Sequence, residues 1–217
     1  FDSFEEELSI CTGLGLGVLS LVLFSMGLFG LIQWVPALVL LAALVAAALR
    51  PWQCLLRRIR DKRPWRPPGP KQWLSYALLA APIAPMAVAA LYPPHSWVAL
   101  MYHLPFAKAF VQEHRIVTTP YLRYALSPQL QEVLFAWMLL LSDDIAAQCL
   151  QFCMMLVTTL ALIAWGRRLA SSTAGIWSGA LWLANPLVIW LGISAYIDIG
   201  LALYCTLACL ALWNWRS

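Results

Sequence analysis

The chain has 217 residues, of which 62% are hydrophobic and only 11% are charged, and its net charge is +4. Soluble domains carry about 25% charged and about 45–50% apolar residues, so this composition excludes a soluble globular domain, a disordered tail and a disulfide scaffold. It is typical of an integral membrane protein with several spans.

The N-terminal region predicts two membrane spans. Residues 8–49 contain no charged side chain, and this run is about twice the roughly 20 residues that one span requires. Pro36 divides the run into helices at about 8–31 and 36–50, because a missing N–H costs nothing in the first turn of a helix. We therefore expect residues 1–50 to form an N-terminal transmembrane hairpin.

A basic loop is predicted next, over residues 51–72. The segment 50–71 holds eight of the 14 Lys and Arg residues and only one acid, Asp61. Short basic loops stay on the cytoplasmic side, where they also contact anionic lipid. Lys/Arg-rich runs attract nucleic acid as well, but between two spans this loop is better explained by topology. We therefore expect membrane lipids, and no nucleic acid, as partners.

Residues 73–217 predict a second membrane domain. Its first span, at 73–92, would emerge on the outer side and lead into one large outer loop at 93–144. Two amphipathic helices are expected in this loop, at about 97–113 and 129–141. The second is too short to span a membrane, which favours an interfacial position.

Three further spans are predicted after the outer loop, at 145–165, about 169–191 and 199–215. A Gly-Arg-Arg motif after the first of them marks its cytoplasmic end, and an Asn-Pro pair inside the second predicts a kink. The predicted fold is therefore an all-α polytopic membrane protein, with about six transmembrane helices and two interfacial helices. Both chain ends would lie in the cytoplasm.

Polar residues that could do chemistry are concentrated in the outer loop. Lys108, Arg115 and Arg123 could bind a lipid-linked phosphate, because basic side chains match phosphate charge and Arg matches its geometry. A carboxylate such as Glu113 or Glu132 could act as a general base on an acceptor hydroxyl. The same residues also fit an ordinary interfacial loop with snorkelling cations and aromatic anchors, and both interpretations remain open.

Three carboxylates lie near the predicted ends of spans. Asp198 follows a charge-free run from residue 169 to residue 197, and a carboxylate near the apolar core is a functional candidate by default. Its alternative is a solvated residue in a turn between two spans. Asp143 and Asp144 precede a span, where they could bind a divalent cation but are better explained by the favourable helix dipole.

Small residues within the spans predict packing rather than chemistry. Two pairs of cysteines have the i, i+4 spacing of a helix but form no C-x-x-C motif, so we expect them to pack as apolar residues and to hold no metal. Gly13 and Gly17 form a G-x-x-x-G step that permits close helix packing.

Several stretches between Trp73 and Trp215 carry a family resemblance. They are SWVALMYHLPFAKAF in the outer loop, LSPQL before its second helix, GRRLA after the fourth span, and ALWLANPLVIWLGISAYID in the fifth. Together they resemble the N-terminal membrane half of GT-C type glycosyltransferases. The most similar group is the bacterial relatives of dolichyl-phosphate-mannose protein mannosyltransferases and of lipid A aminoarabinose transferases.

The resemblance implies a protein of the bacterial inner membrane, with its large loop on the outer side, that uses a polyprenyl-phosphate-linked sugar donor. It aligns Tyr102 and His103 with a Tyr-His element that would shape the pocket, and Asp198 with the second acidic catalytic position. The first acidic position falls on Val98, in SWVALMYH, where family members would read SWDALMYH. An active relative would use a divalent cation as its cofactor or rely on the carboxylates alone.

Val98 leaves the enzymatic activity open, because valine can neither accept a proton nor bind a cation. The chain also begins at Phe1 and stops just after a hydrophobic segment, so we expect either part of a longer enzyme or a descendant that has lost its chemistry. The alternative function is a non-catalytic structural subunit of a larger membrane complex, with apolar span faces for partner helices, lipids or pigments. A transporter ranks last, because no repeat or polar stripe lines a path.

Overall fold

The computed structural model describes residues 3–61, 70–122 and 129–216. Throughout these ranges the chain is helical between its turns and loops and contains no strand, so the predicted all-α class is confirmed. The helices, numbered in chain order, are α1 (Phe4–Leu28), α2 (Trp34–Asp61), α3 (Pro70–Ala80), α4 (Ile83–Ala90), a π-helix (Ala99–His103), α5 (Leu104–Glu113), α6 (Leu130–Leu141), α7 (Asp144–Leu169), α8 (Ser172–Ala184), α9 (Pro186–Gly192) and α10 (Asp198–Arg216).

The predicted number of six membrane spans is not confirmed. Within the described ranges, four segments are long and apolar enough to cross a membrane: Phe4–Leu28, Trp73–Ala90, Asp144–Leu169 and Asp198–Arg216. The helices α8 and α9 make a fifth if they count as one span, which is bent by 71°. The bend lies at the predicted Asn-Pro kink, where Asn185 caps the N-terminus of α9.

The second predicted span is not confirmed as a membrane crossing. It falls in α2, whose apolar part, Trp34–Leu49, is shorter than a span requires. The helix also continues past Pro51 to Asp61, through the first part of the segment that we predicted as a loop. Residues 62–69 of that segment lie outside the described residues.

The centre of the bundle is α7, against which α1, α4, α6, α8, α9 and α10 all pack. The G-x-x-x-G step of α1 serves close packing, as predicted. A Cβ added at Gly13 would collide with Leu207 of α10, and one added at Gly17 would touch the ring of Tyr204 on the same helix. Small residues thus let the first and last helices approach each other.

The cysteines do not pack in the core as we expected. The five that the structure describes are all free thiols, and four of them are exposed: Cys11, Cys153, Cys205 and Cys209. They lie on the outward faces of α1, α7 and α10. On a spanning helix such faces contact lipid, where a small apolar thiol needs no buried partner.

The helix α6 differs from the interfacial helix that we predicted at 129–141. Its bounds agree with the prediction, but residues 132–137 are all buried, because α1, α2, α5 and α7 pack around it. A helix buried on every side has no polar face to lay on a membrane surface. The other predicted helix, 97–113, is present as the π-helix followed by α5.

Ion pairs join three helix ends at one end of the bundle. The Arg167 guanidinium donates to Glu5 Oε1 at 2.6 Å, and Arg168 donates to both carboxylate oxygens of Glu6 at 3.0 and 3.1 Å. Asn214 Nδ2 also donates to Glu6 Oε1 at 2.5 Å. The start of α1 and the last turns of α7 and α10 therefore meet here, and we call this group of five residues the clamp. The side of the membrane on which this end lies remains a prediction.

Candidate functional site

The opposite end of the bundle holds those predicted site residues that the structure describes, and we call it the site end. Here the α1–α2 turn is bonded to the segment after α5: Ile32 N donates to His114 O at 3.0 Å, and Ile116 N donates to Gly27 O at 3.1 Å. Gln148, near the start of α7, donates to the carbonyls of Ala90, the last residue of α4, and Tyr92, two residues later, at 3.0 and 2.9 Å. The segment predicted as the outer loop is thus anchored on the ends of α1, α4 and α7.

A buried acid–base pair lies within the site end. His103 Nδ1 is 2.9 Å from Glu132 Oε1, and the two side chains are only 2% and 1% exposed. His103 is the last residue of the π-helix, and Glu132 lies in the first turn of α6. A negative charge at this position is stabilised by the helix dipole. The second oxygen, Glu132 Oε2, is buried without a hydrogen-bond partner among the described residues.

Two aromatic rings lie beside His103, and unbonded polar atoms lie in the segment of one of them or on the residue that donates to it. The ring centroids of Tyr102 and Tyr196 are 4.2 and 6.0 Å from that of His103. The Gln151 amide of α7 donates to the Tyr196 carbonyl. Within the described part of the chain, Gln151 Oε1 and Ser194 Oγ are buried and also lack a hydrogen-bond partner. Two segments that are distant from Tyr196 in sequence, those of His103 and Gln151, therefore meet at this residue.

Asp198 belongs to the same end but is not buried. It starts α10, two residues after Tyr196, and it is exposed. Two peptide units span at most about 7.6 Å between Cα atoms, so Asp198 lies near the segment that contacts His103. Tyr102 and His103 thus lie together, Asp198 lies near them, and Glu132 contacts His103. The roles predicted for these residues remain predictions.

The predicted cationic residues have different surroundings. Lys108 Nζ is 2.7 Å from Asp144 Oδ2, and both side chains are partly exposed. Arg115 is exposed two residues after α5, and Arg123 lies outside the described residues. Asp143 caps α7 as predicted, because its side chain accepts from Ala146 N at 3.0 Å. Phosphate binding by the two described cations remains a prediction.

Val98, which the resemblance aligns with the first acidic position, is half-buried and immediately precedes the π-helix that contains Tyr102 and His103. Glu113, one of the two carboxylates that could substitute, is exposed at the end of α5. Glu132, the other, is the one that contacts His103. In the described ranges, no group of three or more His, Cys, Asp or Glu side chains could hold a metal ion, and the divalent cation remains a prediction.

Sequence reasoning named both members of the buried pair but did not join them. They are 29 residues apart, and the residues from 123 to 128 between them were predicted only as loop. The π-helix also changes the phase of the side chains, because its i→i+5 hydrogen bonds add a residue to the turn.

Comparisons with known proteins name no activity. No protein-family model and no solved structure matches the chain. An uncharacterized protein of Shigella flexneri is 37% identical over 120 residues, which are 54% of this chain and 60% of that protein. The chain thus spans less than two thirds of the curated relative that it matches, and it shares with that relative a sequence but no named function.

Proposed function

We propose that the chain is a GT-C-like integral membrane protein of the bacterial inner membrane that binds a polyprenyl-phosphate-linked sugar at its site end. One observation carries the proposal: Tyr102, His103 and Asp198, the residues that the resemblance singles out, lie at the same end of the bundle. The site end would lie on the outer side of the membrane. The clamp, with Arg167 and Arg168, would lie on the cytoplasmic side, as the positive-inside rule favours.

Lys108 and Arg115 supply the phosphate-binding charge in this proposal. Both are exposed at the site end, where a lipid phosphate at the membrane surface can reach them. Lys108 is already paired with Asp144, so a phosphate must compete with that carboxylate. Arg115 has a planar guanidinium, which suits a bidentate contact with phosphate oxygens.

Binding of a polyprenyl phosphate tests the proposal. The protein in nanodiscs is titrated with C55 polyprenyl phosphate, and bound lipid is counted by native mass spectrometry. The uncharged C55 polyprenol serves as the comparison ligand. We expect the phosphate to bind at least tenfold more tightly. The double variant Lys108→Gln/Arg115→Gln should remove that preference, because a hydrogen bond to a charged group contributes about 1.5–3 kcal/mol.

The control variant is Arg216→Gln, which removes an exposed cation at the clamp end of α10 and should leave binding unchanged. Equal binding of phosphate and alcohol would refute the proposal, and so would equal losses in the double variant and the control. Transfer is then measured from a panel of polyprenyl-phosphate-linked hexoses and pentoses to a membrane extract.

The second candidate function is a non-catalytic subunit of a larger membrane complex, and α2 favours it. Residues 42–49 are exposed on all sides of this helix, and five of these eight residues are alanine. Small side chains let a partner helix approach closely. This candidate predicts stoichiometric co-purification with a complex in mild detergent, reduced when Ala46 is changed to Trp. Isolation of the protein alone, with no loss of partners in the variant, would contradict it.

A further inference from the structure

We propose that His103 is the general base of the site end and that Glu132 is its positioning residue, an inference that rests on the proposed function. The first step concerns the proton between them. A carboxylate can only accept, so an ionised Glu132 requires His103 Nδ1 to donate at the observed 2.9 Å. In a neutral imidazole the proton on Nδ1 leaves Nε2 as the acceptor nitrogen, which is the form that a general base needs.

The second step compares two equally buried carboxylates. Glu6, in the clamp, is 1% exposed, and Arg168 bonds both of its oxygens. Glu132 is also 1% exposed, but only one of its oxygens has a hydrogen-bond partner in the described ranges. A purely structural buried carboxylate is stable only when it is fully paired. Glu132 instead has the arrangement of a carboxylate that orients an imidazole for catalysis.

The third step is the reaction that this arrangement allows. The O–H bond of an acceptor alcohol breaks and its proton passes to His103 Nε2, while the alcohol oxygen forms a bond to the anomeric carbon of the donor. The bond from that carbon to the phosphate oxygen breaks, and polyprenyl phosphate leaves with the electron pair. Glu132 stabilises the imidazolium that forms. The enclosure of His103 excludes bulk water, which would otherwise compete with the acceptor.

This assignment also accounts for Val98. When the proton acceptor is an imidazole held by Glu132, no carboxylate is needed at position 98. Glu132 is 34 positions further along the chain and belongs to a different helix. The carboxylate therefore reaches the Tyr-His element through the packing of α6 against α5 rather than through the segment that contains Val98.

The tautomer of His103 is measured first, by ¹⁵N NMR of histidine-labelled protein in nanodiscs. The chain has only three histidines, so the variants His95→Gln and His114→Gln assign the remaining signals. We expect Nδ1–H for His103 in the wild type and a change to Nε2–H in Glu132→Leu. In Glu132→Gln, His103 should keep its Nδ1–H, because the glutamine amide oxygen still accepts. This variant also covers the case in which Glu132→Leu does not fold. An Nε2–H signal in the wild type would overturn the inference.

Transfer assays then separate this inference from the proposed function. With the panel member that the wild type transfers, we expect His103→Gln to lower kcat at least 100-fold, in the range of general-base catalysis. Glu132→Gln should lower kcat with KM within twofold, and both variants should still bind C55 polyprenyl phosphate. If the His103→Gln variant binds C55 polyprenyl phosphate and its transfer rate is unchanged, the inference is overturned but the proposed function is not. The same holds if the wild type binds this lipid and transfers nothing. Failure of the wild type to bind overturns the proposed function and the inference with it.

Discussion

Substitution of Gly175 by alanine tests whether the α7–α8 contact is as close as the structure shows. A Cβ at Gly175 would lie 2.5 Å from the backbone oxygen of Ile163, whereas real Cβ atoms stay beyond 3.0 Å. A carbonyl oxygen cannot rotate aside as a side chain can, so the two helices must separate. Overpacking of this kind costs about 1–3 kcal/mol.

Gly15→Ala is the matched control, because a Cβ at Gly15 meets nothing within 4 Å. Both glycines lie inside helices, so alanine brings the same gain in helix propensity, about 1 kcal/mol, to each variant. The difference between the two variants therefore isolates the steric cost. We expect Gly175→Ala to be less stable than Gly15→Ala by about 2 kcal/mol, which corresponds to roughly 4–8 °C in Tm for a chain of this size.

The assay is reversible unfolding in mixed micelles of increasing SDS content, followed by tryptophan fluorescence, with Tm measured in parallel. Equal stability of the two alanine variants would refute the packing argument. The consequence extends to the site, because α8 and α9 lead directly to Tyr196 and Asp198. A displacement of α8 from α7 should therefore also shift the His103 NMR signals.

Three further predictions concern the ends of the helices. Arg168→Met should destabilise the protein by about 3–5 kcal/mol in the SDS titration, because it breaks the bidentate pair of the buried Glu6. Adding Glu6→Gln should recover part of the loss. If stability does not recover, the unpaired charge of Glu6 is not the cause. Asp143→Ala should lower the free energy of unfolding by about 1 kcal/mol, because the N-cap of α7 is lost. Asp143→Ser should retain most of the stability, because serine can also cap a helix. In a variant with all six native cysteines replaced by alanine, Glu113→Cys should react with a membrane-impermeant maleimide on intact cells and Arg216→Cys only after permeabilisation; the reverse pattern would contradict the proposed topology.

Much of the helical layout could be predicted from charge and proline alone. The fourth predicted span, 145–165, corresponds to α7, because the charged residues at both ends of this apolar run mark where a spanning helix can end. The break between α3 and α4 lies at Pro82, where a missing N–H and a steric clash interrupt the helix. The kink at Asn185 follows from the same chemistry. These features are local, so the sequence is sufficient for them.

The remaining features depend on contacts between distant segments. The burial of α6 could not be predicted, because its sequence fits equally a short interfacial helix and a helix enclosed by four others. The acidic residues Glu5 and Glu6 give no local indication of a partner, yet each pairs with an arginine 162 residues away. The pairing of His103 with Glu132 joins two different helices across 29 residues, and no periodicity in the sequence indicates it.

The two carboxylates that are 1% exposed, Glu6 and Glu132, differ in how completely their oxygens are bonded. At the clamp, Arg168 satisfies both oxygens of Glu6 and fixes α1 against α7. At the site end, Glu132 is buried to the same degree but keeps one oxygen unbonded in the described ranges. A protein gains no stability from burying an underpaired carboxylate. The free-energy cost of burying Glu132 is explained if this carboxylate holds His103 in the tautomer that accepts a proton. The contacts that stabilise the bundle and the proposed chemistry then lie at opposite ends of the same helices.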